Sequence, residues 1–196
     1  MSRIIGTLAL LSLALAGCAG SAAPRLTPVG DAIPGGVSLA GRWQLRAGDD
    51  DSERRIREAE QRTGGGLEDV VAPARRDYSR SRRGADGPSV YVFLRTGNKL
   101  RVTQTPYGLF ISFDRSVVEE YRFREHRLVS VGPIEADRVS GWADGKYVVR
   151  TLDNEGALLE ETYALEAGGD LLVRTVTVTY RKDTVLSLRQ AYDRLD

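Results

Sequence analysis

The chain has 196 residues, 41% hydrophobic and 28% charged, enough to enclose one good core and too short to argue for several. Its 28 Lys and Arg stand against 27 Asp and Glu, a balance that gives no general attraction to nucleic acid. Cys18 is the single cysteine, so an intramolecular disulfide is excluded and packing must supply the stability.

Arg3 gives the first residues a positive charge, and residues 4–16 form an apolar run broken only by Gly6, Thr7 and Ser12. Such a run is too short for a permanent transmembrane helix and matches the apolar region of a secretory leader. It ends in Leu15-Ala16-Gly17-Cys18. This segment resembles the lipobox of bacterial lipoproteins, where a signal peptidase cuts before a cysteine that carries lipid. The resemblance implies a signal peptide over residues 1–17, acyl chains on Cys18 and a stable membrane anchor. Ala19 stands where an aspartate would favour the inner membrane, which implies a lipid-anchored, periplasm-facing place at the outer membrane. Residues 18–40, rich in Gly, Ala, Ser and Pro, read as a flexible tether reaching roughly 25 Å.

Gly41-Arg42-Trp43-Gln44-Leu45-Arg46 alternates polar and apolar residues and predicts a first strand. Asp50 and Glu53 have the spacing of a capping box, and residues 52–63 lack breakers until Gly64-Gly65-Gly66, so a short helix is expected there. Its apolar residues are only Ile56 and Ala59, which places it on the surface as a flap or lid. Residues 67–88 read as a mobile loop, basic through Arg75, Arg76, Arg80, Arg82 and Arg83 and suited to acidic envelope components.

Beyond Ser89, short β-type runs are expected at residues 90–95, 99–105, 108–114, 117–123, 127–131, 137–142, 146–152, 157–165, 171–180 and 185–193. Turn signals such as Thr96-Gly97-Asn98, Asp144-Gly145 and Gly168-Gly169 separate them, so each strand should pair with the next. Val117, Glu119, Tyr121 and Phe123 fall on one face, and so do Val176, Val178 and Tyr180. The predicted fold is mostly β: an antiparallel up-and-down meander of about ten strands with a short helix after the first, spanning residues 41–196. Closure into a barrel removes the exposed edges that such a meander would carry.

Gly41-Arg42-Trp43 resembles the opening of the lipocalin and fatty-acid-binding superfamily, in which Gly-x-Trp starts the first strand and the tryptophan closes one barrel end. The order of strand, helix and long meander is similar to the fatty-acid-binding branch. Trp142-Ala143-Asp144-Gly145 also resembles a hairpin of uncharacterised Gram-negative lipoproteins. The resemblance implies a lipocalin-like barrel with an arginine of the last strand over Trp43, a place suited to Arg189. It also implies a small apolar or amphipathic ligand. Trp43, Tyr121, Phe123 and Arg189 are the candidate ligand-binding residues.

Catalytic constellations are sparse. His126, the one histidine, reads as a solvated turn residue, no Gly-x-Ser-x-Gly elbow is present, and the usual zinc ligand sets cannot be assembled. Glu119-Glu120 and Glu160-Glu161 are neighbours whose side chains must point to opposite faces, leaving Glu119 and Glu161 able to face a cavity. No cofactor motif occurs, since Gly64 to Gly66 lack the Lys and Ser/Thr of a P-loop. The expectation is a non-enzymatic, membrane-anchored ligand binder. The alternatives are an interaction module for an envelope protein partner and, weakest, a hydrolase using Glu119 or Glu161.

Overall fold

The alternation becomes ten antiparallel strands in a computed structural model, which describes residues 25–49, 51–65 and 87–195. They are β1 (Gly41–Leu45), β2 (Lys99–Gln104), β3 (Gly108–Phe113), β4 (Val117–Arg122), β5 (Glu125–Val131), β6 (Ile134–Ala143), β7 (Lys146–Asp153), β8 (Leu158–Glu166), β9 (Leu171–Tyr180) and β10 (Asp183–Leu195), with helix α1 (Ser52–Thr63) after β1. The leader, Cys18, Asp50 and the Arg75 to Arg83 loop lie outside the described residues. Sheet order is β4-β3-β2-β1-β10-β9-β8-β7-β6-β5. All chain neighbours pair except β4 and β5, and β1 pairs with β10, so the ribbon curls into a nearly closed barrel with its seam between β4 and β5.

Turn chemistry sets the registers. Asp144 and Gly145, at φ 50 and 75, make the two-residue turn that joins β6 to β7. Inward-facing side chains then fill the barrel. Trp43, Leu109, Ile111, Tyr147, Val149, Tyr163, Leu172 and Tyr192 belong to one fully buried cluster, and Leu159, Val176, Val178, Leu186 and Leu188 to a second.

Helix α1 covers the second cluster with Ala59 while holding on to β10 by its arginines. Arg55 donates to Ser187 O at 2.7 Å and Arg62 to Val185 O at 2.9 Å. Asp51 occupies the N-cap position without a side-chain capping bond, and Gly64 ends the helix at φ 71.

Two expectations need correction. Residues 90–95 do not form a strand; Val90–Phe93 is a 3-10 turn with all four side chains buried against the cluster beneath α1. Four consecutive apolar residues cannot all be hidden by a strand with one wet face, whereas a tight turn inserted as a plug hides them. The Asp153 carboxylate holds this plug, accepting from Ser89 N and Val90 N at 2.8 Å each.

The predicted tether also stops short of Ala40. Val29 and Leu39 are buried, Ile33 and Val37 pack on the core, and Gly30 bridges Trp142, whose N–H donates to Gly30 O at 2.8 Å. Gly141 makes this approach possible, because a Cβ there would lie 2.1 Å from Gly30 O.

Candidate ligand-binding seam

The four predicted ligand residues do not form one site. Trp43 is fully buried and donates from Nε1 to Leu39 O at 3.1 Å. The arginine over its ring is Arg194, with its guanidinium carbon 4.2 Å from the centroid. Arg189 points outward and pairs with Glu166 at 3.0 Å, so its expected place over Trp43 is corrected. The inward set of β10 runs through Leu186, Leu188, Gln190 and Tyr192, which turns Arg189 away by the alternation of a strand.

Tyr121 and Phe123 do come together. Phe123 lies 6.2 Å from the ring of Trp142 and 5.6 Å from that of Tyr147, and Tyr121 lies 6.2 Å from Tyr147. Burial pushes the Tyr121, Tyr147 and Tyr163 hydroxyls above the ordinary range, so all three stay neutral at physiological pH. Trp142 Nε1 is buried here without a hydrogen-bond partner.

Two charged networks lie inside the barrel, and neither was assembled from the sequence. Arg174 and Glu161, both fully buried, are ion-paired; Arg174 NH1 also donates to Gln190 Oε1 at 3.1 Å, and Gln190 donates to Ser52 Oγ at 3.0 Å. The second network sits at the seam. Glu119 accepts from Arg95 Nε at 2.7 Å and Arg138 NH1 at 3.1 Å, and Arg138 Nε donates to Thr151 Oγ1 at 3.0 Å. The Arg138 guanidinium stands 5.6 Å from the ring centroids of both Phe93 and Tyr121. Glu119 and Glu161 thus face inward as expected, each engaged by an arginine.

Side chains replace the missing ladder between β4 and β5. Arg127 NH2 donates to Glu120 O at 2.7 Å, and Ser140 Oγ donates to Arg122 O at 2.8 Å. A cavity of about 280 Å³ opens there, lined among others by Phe93, Arg95, Glu119, Arg127, Val129 and Arg138. Arg127 Nε is buried without a hydrogen-bond partner; its nearest carboxylate oxygen, on Glu125, is 3.6 Å away. Three guanidinium groups therefore meet the two carboxylates of Glu119 and Glu125, an excess of one positive charge around the cavity.

The remaining candidates for chemistry stand apart from the seam cavity. His126 is on β5, half-exposed, with Nε2 3.5 Å from Asp137 Oδ1, not in a turn. Glu120 and Glu160 point outward and pair with Arg122 and Arg150. Among the described residues no helix is long and apolar enough to cross a membrane.

Strand order, register and helix placement define a nearly closed, mostly antiparallel β-barrel of ten strands with one helix after the first. No protein-family model matches the chain, and no curated protein does. Solved structures similar to it include a secretory abundant heat soluble protein from Ramazzottius varieornatus, at 13% identity over 80% of this chain and 95% of that one, with a TM-score of 0.48. Human cRBP IV is similar at 12% identity, covering 81% and 99% of the two chains, with a TM-score of 0.48. Lipid binding protein 8 of Caenorhabditis elegans is similar at 15% identity, 81% and 99% coverage, and a TM-score of 0.48.

Proposed function

We propose that this protein is a non-catalytic, lipid-anchored envelope protein that binds a small amphipathic acid at the seam of its barrel. The observation that carries the reading is the seam itself. It combines a wall without ladder hydrogen bonds, an excess guanidinium charge at Arg95, Arg127 and Arg138, and an adjoining aromatic cluster of Tyr121, Phe123 and Trp142. A cavity of about 280 Å³ matches a head group and the first part of a chain, and falls just below the usual volume of a whole small-molecule site. The ligand's acidic head would meet the guanidinium groups of Arg95 and Arg127, and its apolar part would lie against Phe93 and Val129.

The test is a calorimetric titration of the full chain with oleate. Arg127→Gln is expected to weaken binding at least tenfold, the effect of losing one charge-assisted hydrogen bond. Native mass spectrometry of protein taken from cell envelopes should show a retained acidic lipid. No retained ligand, together with no binding across fatty acids, bile acids and lysophospholipids, would refute the reading. The anchor is tested separately: Cys18→Ser should abolish acylation, seen as loss of the lipid mass.

A further inference from the structure

The outer wall of the barrel is not uniform. On β7 to β9 it is polar and paired, with Arg150 bonded to Glu160 at 2.6 Å and Thr175, Thr177 and Thr179 in a row. The wall of β1 to β4 is different. Register places Val118, Ser112, Arg101, Arg42 and Leu195 side by side across five strands, a row about 19 Å wide at the usual strand spacing. Phe110 shares this face, two residues along β3 from Ser112.

A concavity of about 730 Å³ lies on this wall, lined by Arg42, Lys99, Arg101, Phe110, Arg115 and Leu195 with their neighbours, and no carboxylate contributes to its lining. Large exposed apolar side chains also gather here. Phe110, Val118 and Leu195, at 38, 62 and 41% exposure, line the concavity. Tyr107, at 80% exposure in the turn before β3, adjoins this wall in the chain.

We infer that this wall is a docking surface for an anionic lipid bilayer. Lys99, Arg101 and Arg115 stand between apolar side chains, and Glu120, the one acidic side chain beside Phe110, is already paired with Arg122; such a surface matches a layer of phosphate head groups above acyl chains. Arginine and lysine stems can lie along the apolar part while their charged ends reach the phosphates. A soluble acidic protein would satisfy the cations and leave Phe110, Val118 and Leu195 without a reason for being exposed together. The wall is distinct from the seam cavity: none of the residues lining one lines the other.

The test uses the full chain bound to vesicles of brominated phosphatidylcholine, with or without phosphatidylglycerol, and two added tryptophans. Phe110→Trp reports on the proposed face and Thr177→Trp on the opposite wall. With phosphatidylglycerol present, the emission added by Phe110→Trp should fall at least twofold, and that of Thr177→Trp should not change. Arg101→Glu with Arg115→Glu, made in the Phe110→Trp chain, should restore most of the emission, and raising the salt should act in the same direction. Equal quenching at both positions would mean that the domain presents no preferred face, and no quenching at Phe110→Trp would mean no contact; either overturns the proposal. Equal quenching of Phe110→Trp on neutral vesicles overturns the anionic requirement. Capture of an acidic protein by this wall, abolished by the same charge reversals while lipid quenching is absent, would overturn it in favour of a protein partner. Oleate binding at the seam should be unchanged in all these variants, so failure here and failure of the seam reading are told apart.

Discussion

The guanidinium of Arg194 lies 4.2 Å from the ring centroid of Trp43, its direct partner across the β1–β10 ladder. The same side chain donates from NH1 to Ala40 O at 3.0 Å, and from Nε and NH2 to Gly169 O at 3.1 and 2.9 Å. It thereby ties the entry to β1 and the turn between β8 and β9 to one aromatic ring. Arg194→Ala is expected to lower unfolding free energy by about 2 kcal/mol, from one cation–π contact and several hydrogen bonds. Urea denaturation measures it, and a loss below about 0.5 kcal/mol would show that solvent replaces these bonds at no cost. Arg194→Lys should recover little, since a lysine lacks the fork that reaches both carbonyls.

The Arg174–Glu161 pair predicts an asymmetry between single and double changes. Glu161→Gln leaves a guanidinium in the core without its counter-charge and should cost about 3–5 kcal/mol. Replacing Glu161 by Leu and Arg174 by Met together should recover more than half of that loss, because desolvation of both charges disappears. Equilibrium unfolding of the wild type and the two variants decides it; a double change as damaging as the single one would assign the cost to shape and not to charge.

Asp153 gives a pH dependence. Its carboxyl is pushed above the ordinary value of 3.8 by burial, although Ala157 N, Val90 N and Ser89 N partly offset this. The folded state therefore holds this proton more tightly than the unfolded chain, and the stability it adds is present below 3.8 and lost as pH rises through the folded pKa. Asp153→Asn keeps one acceptor where three N–H groups need two, and should destabilise by about 1–3 kcal/mol at neutral pH. The gap between wild type and Asp153→Asn should widen as pH falls toward 4, measured by thermal unfolding at stepped pH; a gap that narrows would contradict the direction of the shift.

Gly141→Ala probes the packing of the segment before β1. The added methyl would meet Gly30 O at 2.1 Å and Val29 O at 3.0 Å, both backbone atoms that cannot rotate aside. The segment around Gly30 should leave β6, and limited proteolysis should then cut within residues 25–38 at least tenfold faster while the barrel stays intact. An unchanged cleavage rate would mean that this contact contributes little to holding the segment.

Much of the architecture could be read from local pattern. Thr and Val alternate through residues 175–179, Asp144-Gly145 demands a hairpin, and Gly64 stops α1 where expected. The plug at Val90–Phe93 was hidden because four apolar residues in a row carry no period, and its anchor Asp153 lies more than sixty positions away. The turn between β9 and β10 uses Arg181 and Lys182 at φ 51 and 74, residues that give no turn signal.

The site was legible in part. The parity that sends Leu186 and Leu188 inward also sends Arg194 in and Arg189 out, so alternation along β10 assigns Arg194 to the ring of Trp43. Parity likewise turns Arg174 inward beside Leu172 and Val176, and Arg138 beside Ala136. Which carboxylate meets each arginine could not be read, because it depends on register between strands and on the curl that carries β6 back to β4.

The free edges of the sheet, β4 and β5, are joined by two residues in mid-chain, whereas β1 and β10, from opposite ends of the folded chain, are hydrogen-bonded neighbours. Covalent order and sheet order are thus rotated against each other. Linking residue 195 to residue 41 and opening the chain between Phe123 and Arg124 would turn the barrel into a plain succession of hairpins. In the natural connectivity, the four residue pairs between β1 and β10 demand the longest loop closure of any strand pair, so this short ladder should be the last part of the wall to form.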